Sequence, residues 1–153
     1  DIDFLQWVTG EKVVRVSAEA VSRNLTELGV ADTIMATLRF SNGAIGLLEQ
    51  SWGLPYGLPW MLDAQLEIVG TQGAMYIDTR APAVSTFFND RYVQPEVILG
   101  LPGSHYLKDE YLWFSEFLSG QKEASASGED ALSALQVAAA IVESVKQNAI
   151  INL

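Results

Sequence analysis

One histidine serves the whole chain, His105, in the stretch LPGSHYLKDEY. A lone imidazole at a loop-to-helix junction suits a ligand contact or a proton relay, and equally a surface histidine beside a helix cap. Tyr106 next to it offers a phenol that either hydrogen-bonds a hydroxylated ligand or fills a helix stripe. Trp52 ends an extended run and leads into GLPYGLPW, whose Tyr56 and Trp60 suit sugar stacking, a subunit contact or a plug over a core; we read them as a contact surface. The acids Asp109, Glu110, Glu116, Glu129 and Asp130 fall near helix starts or on exposed faces, where solvation and the helix dipole account for them. No pair among them has a spacing that demands acid–base work.

Several chemistries are excluded outright. The chain has no cysteine, so disulfides, thiol catalysis and cysteine-held zinc or iron–sulfur clusters are ruled out, and one histidine cannot build a multi-histidine metal site. No GxGxxG, GxxxxGK[ST] or GxSxG occurs, so the phosphate-cradling turns and the hydrolase elbow are absent. Nineteen acids against nine bases give a net charge of −10, which opposes nucleic acid and anionic membrane surfaces. No run approaches the roughly 18 apolar residues of a membrane span, and the start lacks the layout of a secretory signal. These features fit a cytoplasmic protein.

The elements that must position these residues follow from periodicity. At 153 residues and 49% apolar, the chain suffices for a single domain over 1–153. DIDFLQWVTG predicts an amphipathic helix with Ile2, Leu5 and Val8 apolar and Gly10 as its stop. KVVRVSAEAV alternates as a strand. DTIMATLRF and AIGLLEQSW flank SNG and predict a hairpin with Asn42-Gly43 as a two-residue turn, both at positive φ. That turn sets Phe40 against Ile45 and Leu38 against Leu47. It gathers Thr33, Met35, Thr37, Arg39, Leu48, Gln50 and Trp52 on the other face. Such a mixed face suits a partner subunit or a ligand. A second hairpin joins LDAQLEIVG to AMYIDT, and VSTFFND and RYVQPEVIL are weaker strands. Two helices follow, from Tyr106 to about Ser119 with Leu107, Tyr111, Phe114 and Leu118 on one stripe, and from Gly128 to about Asn148. The second carries Leu132, Leu135, Ala139, Val142 and Val145 as its stripe and a Ser127/Asp130 capping box. The order predicts an α+β fold, with a largely antiparallel open-faced sheet of about six strands and helices packed on one side.

Four stretches together resemble a known family: DIDFLQWVTG, LRFSNGAIGLLEQSW, LEIVGTQGAMYID and SGEDALSALQVAAAIVESVKQNAIINL, in that order over nearly the whole chain. They are similar to the C-terminal domain of the glucose-fructose oxidoreductase, inositol dehydrogenase and MocA oxidoreductases. The resemblance implies a full-length NAD- or NADP-dependent enzyme acting on a sugar, an inositol-like polyol or a related hydroxy compound. Hydride passes between nicotinamide and a carbinol carbon, and a lysine of an EKP-like motif and a histidine handle the proton.

The family's H-x-x-D pattern places its histidine one position before Asp1 and its aspartate at Asp3. This implies that the chain begins just after the catalytic histidine and holds neither chief catalytic group. Relatives often place a substrate-reaching tyrosine seven residues before a helix phenylalanine. With Phe114 as that phenylalanine the position is Leu107, leaving Tyr106 and His105 as the substrate-binding candidates. The resemblance also implies an open sheet face that packs against another subunit in a homo-oligomer, with Met35, Thr37, Gln50 and Trp52 as interface residues. Lacking a phosphate turn, the chain alone is expected to bind no nicotinamide cofactor and to be inactive. The alternative is a stand-alone binding or scaffolding module that has lost its cofactor domain.

Overall fold

Helix α1 (Ile2–Thr9) ends where the sequence predicts, at Gly10, whose φ of 68° is the left-handed conformation a helix C-terminus favours. The computed structural model describes residues 1–53, 63–78, 83–88, 91–93, 106–124 and 126–153. They fall in two compact units, residues 1–54 with 124–153 and residues 55–123. Every described strand pairing is antiparallel, and the class is α+β.

In the first unit, β1 (Val13–Val21), β2 (Thr33–Phe40), β3 (Ile45–Ser51) and β8 (Ile151–Asn152) form a sheet in the order β3-β2-β1-β8. Helix α3 (Gly128–Gln147) and α1 cover one face of it. Val16, Ala18, Ala36, Leu38 and Phe40 from the sheet pack with Val137, Ala140 and Ile141 from α3, and Ile2 and Leu5 of α1 join the rim. Leu38 is fully buried at 0% exposure. Ser144 is small and buried in α3, and its hydroxyl accepts from the Ala18 amide at 3.0 Å and donates to the Ala149 carbonyl at 2.6 Å. One side chain thereby ties the helix end to β1 and to the approach to β8.

The second unit holds β4 (Gln65–Val69), β5 (Gly73–Asp78), β6 (Ala83–Phe88) and β7 (Arg91–Val93) in sequential order, and α2 (Tyr106–Leu118). The predicted hairpin turn lies between Val69 and Ala74, closed by the Gly70 amide donating to the Gly73 carbonyl at 2.8 Å. There are thus eight described strands in two sheets of four, rather than about six in one. Strand β8 is two residues long, too short to show a periodicity in sequence.

Three local readings are corrected. First, the β2–β3 loop has three residues, not two. The Gly43 amide donates to the Phe40 carbonyl and the Phe40 amide to the Ala44 carbonyl. Gly43 alone takes positive φ, at 90°, while the Asn42 carboxamide oxygen accepts from the Ala44 amide. This is a turn followed by a glycine bulge, and it shifts the register by one residue, so Leu38 pairs with Gly46 and Thr37 with Leu47. Gly46 is suited to that place, since a Cβ there would stand 3.2 Å from the Phe40 ring.

Second, α1 buries Gln6 and leaves Val8 more than a third exposed, because Ile2, Leu5, Gln6 and Thr9 are the residues at i, i+3, i+4 and i+7. Third, α3 buries Val137, Ala140, Ile141 and Ser144, whereas Leu132, Leu135, Ala139 and Val142 form a second, exposed stripe. The helix is apolar on two sides, and the side bearing small residues is the one that fits against β1.

The β1–β2 connection is held by Asp32, a buried acid. Its carboxylate accepts from the amides of Arg23, Asn24 and Leu25 at 2.7, 2.6 and 3.3 Å. The Arg23 amide, then that of Asn24, holds this carboxyl below the usual carboxylate range despite burial pushing the other way.

Candidate functional site

A groove of about 590 Å³ lies where the end of α1 meets the start of α3, lined among others by Asp3, Phe4, Gln6, Trp7, Lys12 and Asp130. Its aromatic wall comes from α1, where the Phe4 and Trp7 rings lie 5.6 Å apart at 49°. These residues are one helical turn apart and Trp7 is 71% exposed. Its charged rim comes from the capping box of α3, in which the Ser127 hydroxyl accepts from the Asp130 amide and the Asp130 carboxylate accepts from the Ser127 amide, both at 3.1 Å. The Ser127 amide and hydroxyl, with Lys12 next, hold the Asp130 carboxyl below its ordinary range. Lys12 reaches Asp130 at 3.4 Å with both groups about half exposed, so the pair is solvated.

Gln6 is the buried polar residue of this region. Its carboxamide oxygen accepts from the Ser133 hydroxyl at 3.0 Å and the Val13 amide at 3.4 Å, and its amide nitrogen is buried with no hydrogen-bond partner. The sequence signal was available, since a glutamine at a stripe position of an otherwise apolar helix face needs a polar anchor. Glu11 beside it accepts a hydrogen bond from the Ser41 hydroxyl. The groove therefore offers aromatic surface and a solvated ion pair. Among the described residues it holds no nucleophile–base pair, and no group of three or more metal-ligating side chains occurs.

His105 lies outside the described residues, as do Tyr56 and Trp60, and Tyr106 opens α2 without its side chain being described. Met35 and Thr37 lie on the exposed face of the first sheet, together with Ile45, Leu47 and Glu49. The one-residue register shift moves Gln50 to the other face, the one that bears Ile34, Ala36 and Leu38, and Trp52 lies just beyond the end of β3, so the four do not share one face. Both are nonetheless exposed, at the far end of β3, with the Trp52 amide donating to the Asp32 carbonyl at 2.7 Å.

A dinucleotide does not fit these residues. The described glycines of positive φ close α1, a short 3-10 turn, the β2–β3 hairpin and α2, so none opens a helix after a strand. The amides at the start of α3 already serve Ser127, and Glu129 and Asp130 put two carboxylates where a phosphate would sit.

Comparison with known proteins gives the context. Residues 1–76 match the family profile described as the GFO/IDH/MocA C-terminal domain. An uncharacterized oxidoreductase of Bacillus subtilis (strain 168), YrbE, is 29% identical over 95% of this chain and 43% of its own length. The myo-inositol 2-dehydrogenase of Thermotoga maritima is 27% identical over 100% of this chain and 46% of its own. The chain thus spans less than half the length of these curated relatives. Among solved structures, levoglucosan dehydrogenase in complex with NADH and levoglucosan matches in fold with a TM-score of 0.78 at 22% identity, over 99% of this chain and 47% of that one. No described helix is long and apolar enough to cross a membrane. With the profile over residues 1–76, oxidoreductases matching along 95–100% of this chain and the α+β fold in agreement, the chain belongs to the GFO/IDH/MocA oxidoreductase family and corresponds to its C-terminal domain.

Proposed function

We propose that this chain is the substrate-side and assembly domain of a cytoplasmic NAD- or NADP-dependent oxidoreductase that acts on an inositol-like polyol, a sugar or a related hydroxy compound. The observation that carries the reading is the match of the entire chain to a myo-inositol 2-dehydrogenase. The absence of a phosphate-binding turn among the described residues supports placing the nucleotide on a part of the protein other than this chain. In this reading the principal proton-handling histidine and lysine also lie outside it, and His105 and Tyr106 contact substrate. The exposed face of the first sheet, with Met35, Thr37, Ile45 and Leu47, meets another subunit.

The test is a spectrophotometric assay of the intact protein with NAD and NADP against a panel of inositols, aldoses and anhydrosugars. Reduction of nicotinamide by at least one cyclic polyol or sugar is the expected result. A folded, cofactor-binding protein that turns over none of them contradicts the substrate class. A folded protein that binds no cofactor supports the stand-alone binding module instead. The 153-residue chain alone is expected to show no stoichiometric NAD(P) binding by calorimetry, and tight binding would overturn the placement of the nucleotide.

A further inference from the structure

The groove between α1 and α3 holds an aromatic pair, an unpaired carboxylate and an unanswered hydrogen-bond donor, all from two turns of one helix. Asp3 and Trp7 stand at i and i+4 of α1, so the carboxylate and the indole share a helix face, and both residues are exposed. The Phe4 ring, 5.6 Å from that of Trp7, extends the aromatic wall. Among the described residues the Asp3 carboxylate enters no hydrogen bond or ion pair. The other two acids of the groove are engaged, Asp130 by Ser127 and Lys12, and Glu11 by Ser41. Gln6 lines the same groove at 6% exposure. Ser133 and Val13 take its oxygen, and its amide nitrogen is a buried donor with no acceptor, a costly state for a polar group.

Each of these groups selects a different part of a ligand. An exposed indole beside a carboxylate attracts an organic cation, which gains from the ring face and from the opposite charge together. The Gln6 nitrogen can only donate, so it requires a neutral oxygen and disfavours an ammonium placed against it. The tilted Phe4–Trp7 wall suits the C–H face of a ring. Three carboxylates, Asp3, Glu11 and Asp130, outnumber the Lys12 ammonium, which turns away phosphates and sugar acids. The groove's volume of about 590 Å³ lies in the range of small-molecule sites, roughly 300–1,000 Å³. We propose that it binds a hydroxylated primary amine of single-ring size, an amino sugar in class. The ammonium sits between the Asp3 carboxylate and the Trp7 ring, and a hydroxyl oxygen accepts from Gln6 Nε2. The site stands on α1 and α3 alone and goes beyond the oxidoreductase reading, since it holds whichever compound the intact protein oxidises.

The test is isothermal titration calorimetry of the intact protein with glucosamine slightly below neutral pH, against glucose and N-acetylglucosamine, which keep the ring and lose the charge. Glucosamine is expected to bind saturably, and both neutral sugars to bind roughly tenfold or more weakly. Asp3→Asn and Trp7→Leu should each weaken glucosamine by a similar factor; both positions are exposed, and circular dichroism verifies that the variants fold. Gln6→Met keeps the volume and removes the donor, so it should weaken glucosamine and leave cyclohexylamine, an amine ring without hydroxyls, unchanged. A protein that binds no glucosamine, or binds it equally well as D3N and W7L, overturns the site. Glucose bound as tightly as glucosamine overturns the recognition of the ammonium. Glucosamine binding that a folded Q6M leaves intact overturns the assignment of the hydroxyl to Gln6.

Discussion

The two faces of the first sheet use similar apolar residues to opposite ends. On the inner face Val16, Ala36 and Leu38 are 1%, 1% and 0% exposed, closed over by α3. On the outer face Ile45, Leu47 and Met35 are exposed, framed by Arg15, Arg39, Glu19 and Glu49. The difference is charge. A core face admits no formal charge without a partner, whereas a face left open to solvent carries charges at little cost. If the outer face meets another subunit as proposed, stability of the fold and of the assembly should respond to different substitutions.

The largest effect is expected at the inner face. Leu38→Ala opens a cavity beside Phe40 and should cost about 2–5 kcal/mol in urea unfolding, with little change in subunit affinity beyond that of partial unfolding. Ser144→Ala, which strands the Ala18 amide and the Ala149 carbonyl, should cost about 1–3 kcal/mol by the same measurement. On the outer face Leu47→Asp should leave the unfolding midpoint of the dissociated chain near that of wild type while dispersing the assembly. An L47D chain that unfolds as readily as L38A would break the contrast.

Asp32 sharpens the contrast in another direction, because its effect depends on pH. Its carboxyl is depressed in the fold by the Arg23 and Asn24 amides, so its contribution is complete above the ordinary carboxylate value of 3.8 and is lost as pH falls through the lower folded value. Acid titration of thermal stability should show a step below about pH 4 that Asp32→Asn diminishes. The smallest effect is expected at Lys12→Ala, where a solvated pair with Asp130 is removed and thermal stability should be nearly unchanged.

Much of the fold is legible in the sequence because periodicity and caps are local properties. The Ser127/Asp130 capping box, the Gly10 stop, both hairpins and the class α+β follow from residues within a few positions of one another. What local pattern could not decide was a choice between near-equal options. Asn42-Gly43 fits a two-residue turn, and the third loop residue, Ser41, differs from a strand residue only by where Phe40 finds its hydrogen bonds. That single step moved Gln50 away from Met35 and Thr37. In α3 two apolar stripes compete, and close approach to β1 through Ala140 and Ser144 settles the winner. Gln6, the buried polar anchor of the groove, sits at a stripe position of α1, but its partners, Val13 and Ser133, come from elements that no local pattern brings to it.

The direct test of the two-face account is a symmetric cross-link. The chain contains no cysteine, so Thr37→Cys introduces one thiol at the centre of the outer face. Treated with a short bismaleimide in the intact protein, T37C should give a covalent dimer if the outer face meets another subunit as proposed. An assembled T37C protein that yields no covalent dimer would contradict the account.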